Sequence, residues 1–350
     1  MDDDQAGSAF RFNGNWREFA PIAFTNLLLI IVTLGIYRFW AKTRERRYLW
    51  SRTDFIGDPL EWTGTGKELF IGFVMAVLIF GVPLFLMQLV IQGLIFRGQI
   101  WLVVLAGFLF PFALLFVMGM ARFRALRYRL SRTHWHGIRG GCDQKGLAYG
   151  WSYVWKSVVG GLFFGLMLPW SMIELWNQRW NEMSFGSHSF TAGADYGPLL
   201  RRLLICIGLA VLGIAALAIV MSGTVFAQGI AMAVMAGLAL ILLLLFLIVV
   251  FTAYYALFLR LAIGGMTLNR IDFAFTARSG HIARLLLGDL ALLVCTLGLG
   301  FVFLSYRHWA FFIRHMEASG EVELASLTQS TTEEPKQGEG LLDAFDVGAF

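Results

Sequence analysis

Four long stretches of this chain carry no charged residue: Leu69 to Phe96, Trp101 to Ala121, Leu203 to Met221 and Val225 to Leu259. Each reaches or exceeds the roughly 20 apolar residues that an α-helix needs to cross a bilayer. Three shorter apolar stretches are each broken at a glycine, Gly35, Gly165 or Gly298. Between the apolar stretches the period changes to two. Phe10 and Phe12 precede Gly14, Leu60 and Trp62 precede Gly64, Phe190 precedes Gly193, and Phe273 and Phe275 precede Ala277, with a weaker copy from Gly141 to Gly146. Alternation of aromatic and polar residues over a few positions predicts short strands.

The series repeats. Arg44, Arg47, Tyr48, Ser51, Arg52, Thr53 and Gly57 recur in order and spacing as Arg124, Arg127, Tyr128, Ser131, Arg132, Thr133 and Gly137. Such self-similarity marks an array of structural units. The fold class expected is a polytopic, all-α membrane protein of five quasi-repeats (short, long, short, long, short) near residues 10–58, 60–138, 140–187, 188–270 and 272–320. Short strand segments gather on its cytoplasmic side. Residues 1–320 form one membrane domain, and 321–350 form an acidic tail expected to be disordered, rich in Ser, Thr, Gln, Glu and Gly. Three acids, Asp2, Asp3 and Asp4, stand where a cleavable leader would carry bases, so the first apolar segment is expected to direct insertion and to stay in place.

A short unit can cross the membrane once, giving seven spans, or turn at its glycine and leave on the side from which it came. Charge placement favours the second. If all strand segments share one face, the opposite face holds only the turns of the two long units, and of all Lys and Arg only Arg97 lies there. That is the asymmetry of the positive-inside rule. A single crossing would instead put homologous strand segments on opposite sides. Irregular backbone at membrane depth has to be shielded, so the short units are expected inside the array. Composition agrees with a membrane setting: 58% hydrophobic, 15% charged, mean hydropathy +0.68. Net charge is +5, ordinary for loops facing anionic lipid and no sign of nucleic-acid binding.

Candidate chemistry is sparse. Nine residues before each break glycine stands a strongly polar residue: Asn26, Lys156 and Asp289. A charge inside a membrane segment usually faces a partner or a water-filled cavity. The three either form an interior polar cluster on an ion or proton path, or sit shallow, with Lys156 reaching the interface and Asp289 paired locally. The basic stripes Arg44, Arg47 and Arg52 and Arg124, Arg127 and Arg132 are candidate contacts for anionic lipid headgroups or phosphate. Gly35, Gly165 and Gly298, with Trp40 and Trp170 five residues beyond the first two, are expected as structural breaks and anchors. His134 and His136 share one strand face but lack a third ligand. The scattered Cys142, Cys206 and Cys295 make neither a disulfide framework nor a CxxC pair. No metal and no cofactor is expected, and no acid/base pair points to an enzyme.

At Thr33 to Trp40, followed by Arg46, Arg47, Tyr48, Leu49 and Trp50, the chain resembles the YjgN family, bacterial inner-membrane proteins grouped under a domain of unknown function. The closing Gly338 to Asp346 is similar to tails of that family. The third unit departs from the pattern after Trp170, where the dense arginines are missing, and the fifth has Phe303 where the tryptophan would fall. The resemblance implies a multi-pass inner-membrane location and transfers no catalytic residue. Two functions stay open: a transporter or channel-like conduit lined by the broken short units, and a non-transporting envelope scaffold or anionic-lipid-interacting protein. Partners expected are the bilayer and its anionic headgroups.

Overall fold

Helix α1 (Trp16–Val32) starts where the Asn15 side chain accepts the Arg17 N–H at 3.0 Å. It ends at Thr33, ahead of a turn through Leu34 and Gly35, both in left-handed backbone with φ of +50° and +91°. Helix α2 (Arg38–Ser51) packs back along α1. Strand β1 (Phe10–Phe12) precedes the helix pair and β2 (Thr53–Phe55) follows it, and the two strands pair antiparallel with Phe12 opposite Thr53. The chain thus leaves a sheet, turns, and returns to the same sheet. The computed structural model describes residues 9–224, 230–320 and 327–334.

The same excursion is made by other helix pairs. Strand β3 (Asp58–Pro59) runs into β4 (Glu61–Trp62), then α3 (Gly66–Ala76), a π-helical turn (Val77–Gly81) and α4 (Val82–Phe96) lead out, and α5 (Ile100–Arg132) leads back to β5 (Thr133–Trp135). Thr65 and Glu68 close a reciprocal capping box at the start of α3, the arrangement that Ser/Thr followed three residues later by Glu encodes. Strand β6 (Ile138–Gly141), α6 (Leu147–Gly165), α7 (Leu168–Asn181) and β7 (Ser184–Phe185) come next. Strand β8 (His188–Ala192), α8 (Gly197–Thr224), α9 (Ile230–Gly264) and β9 (Met266–Leu268) follow. The last set is β10 (Ile271–Phe275), α10 (Ser279–Cys295), a 3₁₀ turn (Leu299–Phe303), α11 (Leu304–Arg314) and β11 (Met316–Gly320).

Two-residue turns join each set to the next, and in β2–β3 and β5–β6 both turn residues, Ile56 and Gly57 or His136 and Gly137, have positive φ. That backbone matches the twist of a hairpin. The strands make a three-stranded sheet, β1-β2-β3, and an eight-stranded antiparallel sheet from β4 to β11 in chain order. The sheet curls until β11 lies beside β1, and the Phe10 and Phe273 rings approach to 6.4 Å between centroids. This corrects the all-α expectation. What the sequence shows as isolated short strand segments is two hydrogen-bonded sheets, because each returning strand up to β9 pairs both with the strand that began its set and with the one that begins the next.

Helices α5 and α9 have 33 and 35 residues, about 50 Å each at 1.5 Å per residue. Among the described residues, four helical stretches are long and apolar enough to cross a membrane: 66–96, 100–132, 197–222 and 233–264. The three short pairs turn at Gly35, Gly165 and Gly298, all at positive φ, each preceded by Leu34, Phe164 or Leu297 in the same left-handed region. These tip side chains are almost fully exposed, Leu34 at 95% and Leu297 at 94%. Trp40 stacks on Tyr37 beside its tip, and Gly66 lets α3 approach it, since a Cβ there would lie 2.7 Å from the indole. Trp170 packs against Trp155 across the α6–α7 pair. Core residues concentrate near the strand end: Phe123, Ile173, Trp176, Leu199 and Ala262 in one cluster, Phe39, Trp50, Trp62 and Leu69 in another. Phe19, fully buried, joins the first helix pair to the last through Val302 and Tyr306.

Candidate functional site

Asn26, Lys156 and Asp289 are all buried, and the structure does not bring them together. Each is bonded to the returning helix of its own pair, at the residue eighteen positions on. Asn26 Oδ1 accepts from Arg44 Nη1 at 3.2 Å while its Nδ2 donates to the Ala41 carbonyl at 3.2 Å. Lys156 Nζ lies 3.7 Å from Glu174 and donates to Gln178 Oε1 at 2.9 Å. Asp289 Oδ1 accepts from Arg307 Nε, and Oδ2 meets His308 Nε2, both at 2.6 Å. Among the described residues no hydrogen bond or ion pair joins one of the three to another. They are interhelical clamps, with the sign of the pair reversed between Lys156–Glu174 and Asp289–Arg307.

The duplicated arginine motif is a clasp between the end of a returning helix and the start of the helix that leads out of the same set. Tyr48 Oη donates to the Asn15 carbonyl at 2.9 Å and accepts the Asn15 N–H at 3.0 Å, and Arg52 reaches Glu18 at 2.8 Å. In the second copy Tyr128 Oη and Arg132 Nη2 both engage Glu68 at 3.0 Å. Ser51 and Ser131 bond the carbonyls of Tyr48 and Tyr128, while Thr53 and Thr133 bond those of Leu49 and Arg129. Of the six arginines proposed for anionic headgroups, Arg44 and Arg47 are exposed on α2, Arg44 while bonded to Asn26. Arg124 donates to the Lys145 carbonyl at 3.1 Å, and the buried Arg127 reaches the Glu333 carbonyl at 3.5 Å. His136 pairs with Asp58 at 2.9 Å, and burial pushes His134 below the usual histidine range.

Under the curled sheet lies a cavity of about 300 Å³, which no feature of the sequence announces. Trp50, Leu130, Ile263 and Ile313, each three residues ahead of β2, β5, β9 or β11, line it together with Trp180 ahead of β7. Strand residues Phe10, Phe55, Trp135, Phe190 and Phe273 close it above. The wall is apolar except for Arg129, Arg179, His188, Thr133, Asn269 and Arg270. Arg179 is the most buried of these arginines, 6% exposed, and burial opposes its charged form. Sequence reading passed over it because the third unit lacks dense arginines. The signal that could have found it is a lone base between Trp176 and Trp180 on one helix face.

A last element covers part of this end. Residues 327–334 of the acidic tail lie along the β5–β6 and β7–β8 turns. Thr328 N–H donates to Ser187 Oγ, and Gln329 accepts the Arg139 N–H at 3.1 Å and donates to the Gly137 carbonyl at 3.0 Å. Glu334 lies 3.5 Å from Arg132 and 3.6 Å from Arg139. Leu327 enters the cavity wall. Side-chain bonds to β6 and to the two turns, which composition does not encode, hold this polar segment.

Apolar helices of spanning length, capped at one end by a curled strand rim and bearing exposed apolar turns, define a helical membrane protein. The chain belongs to the family described as bacterial protein of unknown function (DUF898), whose model matches residues 7–344. It is similar to the inner membrane protein YjgN of Salmonella typhimurium, 28% identical over 130 residues, which cover 37% of this chain and 30% of the relative. YjgN of Escherichia coli O157:H7 is 26% identical over 146 residues, covering 41% of this chain and 34% of the relative. YjgN of Escherichia coli K12 is 34% identical over 68 residues, 19% of this chain and 17% of the relative. The matched parts thus span about a third or less of these curated relatives. No solved structure matches.

Proposed function

We propose that this is a non-enzymatic, multi-pass inner-membrane protein that engages anionic lipid, built from five duplicated strand–helix–helix–strand units with their strands on the cytoplasmic side. The observation that carries this reading is the pairing of two surfaces on the same excursion. Apolar tips such as Leu34 and Leu297 stand bare at one end of the short helix pairs, while the exposed Arg47 lies in the half of α2 nearer the strands, six residues before β2. Bare apolar tips suit hydrocarbon, and an exposed base on the strand side of the helix suits the headgroups of the cytoplasmic leaflet. The short pairs then enter the bilayer and leave it on the same side. The conduit reading has less behind it, because Asn26, Lys156 and Asp289, which an aqueous path would use, are already bonded within their own helix pairs.

The experiment is thermal unfolding of the purified protein in phosphatidylcholine nanodiscs with and without phosphatidylglycerol. Anionic lipid is expected to raise the unfolding temperature, and Arg47→Gln, which leaves the clamps intact, is expected to reduce that rise. Equal stability in both lipids would refute the reading.

A further inference from the structure

Arg179 sits where an arginine alone is costly. Its Nε makes no hydrogen bond, its guanidinium lies 5.4 Å over the Trp176 ring, and among the described residues no carboxylate pairs with it. The charges around it are Arg129 and Arg122, both positive, alongside the hydroxyls of Tyr149 and Tyr153. A buried cation needs a counter-charge or hydrogen-bond acceptors, and a guanidinium cannot shed its proton to escape the requirement. Arg122 is already engaged with Tyr153, its Nη1 donating to the hydroxyl at 2.8 Å. Arg129 and Arg179 face the same cavity. Among the described residues Arg179 therefore has no counter-charge, in a wall that is otherwise mostly apolar.

The wall decides what else the ligand carries. Trp50, Trp180, Phe190 and Phe273 offer flat apolar surface and few hydrogen-bonding groups, so an inorganic anion would leave most of the cavity unmatched, and a neutral hydrocarbon would leave Arg179 unmet. At about 300 Å³ the space is at the lower end of organic-ligand pockets, roughly 300–1,000 Å³, which suits one chain rather than the two of a diacyl lipid. We propose that this cavity binds a single-chain anionic amphiphile, with its carboxylate or phosphate on Arg179 beside Arg129 and its chain among Trp50, Trp180 and Phe273. Leu327 of the tail occupies part of the wall that such a chain would touch. The proposal goes beyond the lipid contact of Arg47, which lies outside the cavity, and can stand or fall apart from it.

The test uses the full-length protein in phosphatidylcholine nanodiscs and a decanoate brominated at its terminal carbon, because bromine quenches tryptophan emission on contact. Saturable quenching is expected, weakened at least about tenfold in Arg179→Met, equivalent to about 1.4 kcal/mol, and less in Arg179→Lys. Decyl phosphate is expected to displace the probe, whereas inorganic phosphate is not. The matching brominated decanol reports partition into the bilayer alone and is expected to quench without saturation and equally in both proteins. Circular dichroism and the unfolding temperature confirm that Arg179→Met is folded. Should that variant unfold, Trp180→Leu provides the second reading, with the expected loss in quenching amplitude. Quenching by decanoate that matches decanol, or that is unchanged in folded Arg179→Met, would overturn the proposal. Displacement by inorganic phosphate alone would overturn the single-chain part of it.

Discussion

Removing the Asp289 carboxylate separates a local clamp from a shared polar cluster. Its oxygens meet Arg307 Nε and His308 Nε2 at 2.6 Å, with the Asp289 side chain 9% exposed and its partners 35% and 43% exposed. A hydrogen bond to a charged group contributes about 1.5–3 kcal/mol, and the exposure of both partners puts these two at the low end. Asp289→Ala is therefore expected to cost about 3 kcal/mol. In a double-mutant cycle with Arg307→Met the coupling is expected at about 1–1.5 kcal/mol. Reversible unfolding in mixed micelles, followed by tryptophan emission, measures both. The companion cycle pairs Asp289→Ala with Lys156→Met and is expected to be additive within about 0.5 kcal/mol. Coupling above about 1 kcal/mol in that cycle, or its absence between Asp289 and Arg307, would refute the clamp and restore the interior cluster.

Other outcomes follow from the same geometry. Phe19→Ala empties the contact between the first and last helix pairs and is expected to cost about 3–5 kcal/mol in the same unfolding assay; a cost under about 1 kcal/mol would mean that the two pairs do not pack there. Gly35→Ala meets no neighbour, yet at φ +91° it is expected to destabilise by about 1 kcal/mol, while Gly93→Ala, inside α4 with open space around it, is expected to stabilise by up to about 1 kcal/mol. With Cys206 and Cys295 replaced, burial holds the Cys142 thiol at about 11. Thiolate is then scarce at pH 8, and modification by a small alkylating reagent is expected to rise about tenfold per pH unit up to that value; a plateau near pH 8 would contradict the burial. Deleting residues 327–350 is expected to speed hydrogen exchange at Arg139, whose N–H donates to Gln329, and unchanged exchange there would show that the segment does not dock.

Features written within a few residues of one another were legible in the sequence. The uncharged runs gave spans, the alternating aromatics gave strands, and Gly35, Gly165 and Gly298 gave turns. The duplicated arginine motif was visible, but its work was not, because Arg52 reaches Glu18 and Arg132 reaches Glu68 across long stretches of chain. Partners eighteen residues apart across a turn likewise made Asn26, Lys156 and Asp289 look like one set when each has its own mate. The cavity was the least legible feature. Trp50, Trp135, Trp180 and Phe273 come from four separate helix-pair sets and meet only when the sheet curls, so no single segment carries their pattern.

The measurement that bears most directly on the membrane arrangement is accessibility of a cysteine placed at the exposed Ser187, in the β7–β8 turn, with Cys142, Cys206 and Cys295 replaced. An impermeant thiol reagent is expected to leave this cysteine unlabelled in intact cells and to label it once the cytoplasmic face is opened. Labelling in intact cells would place this turn outside, and the common cytoplasmic strand rim with its re-entrant short pairs would be contradicted.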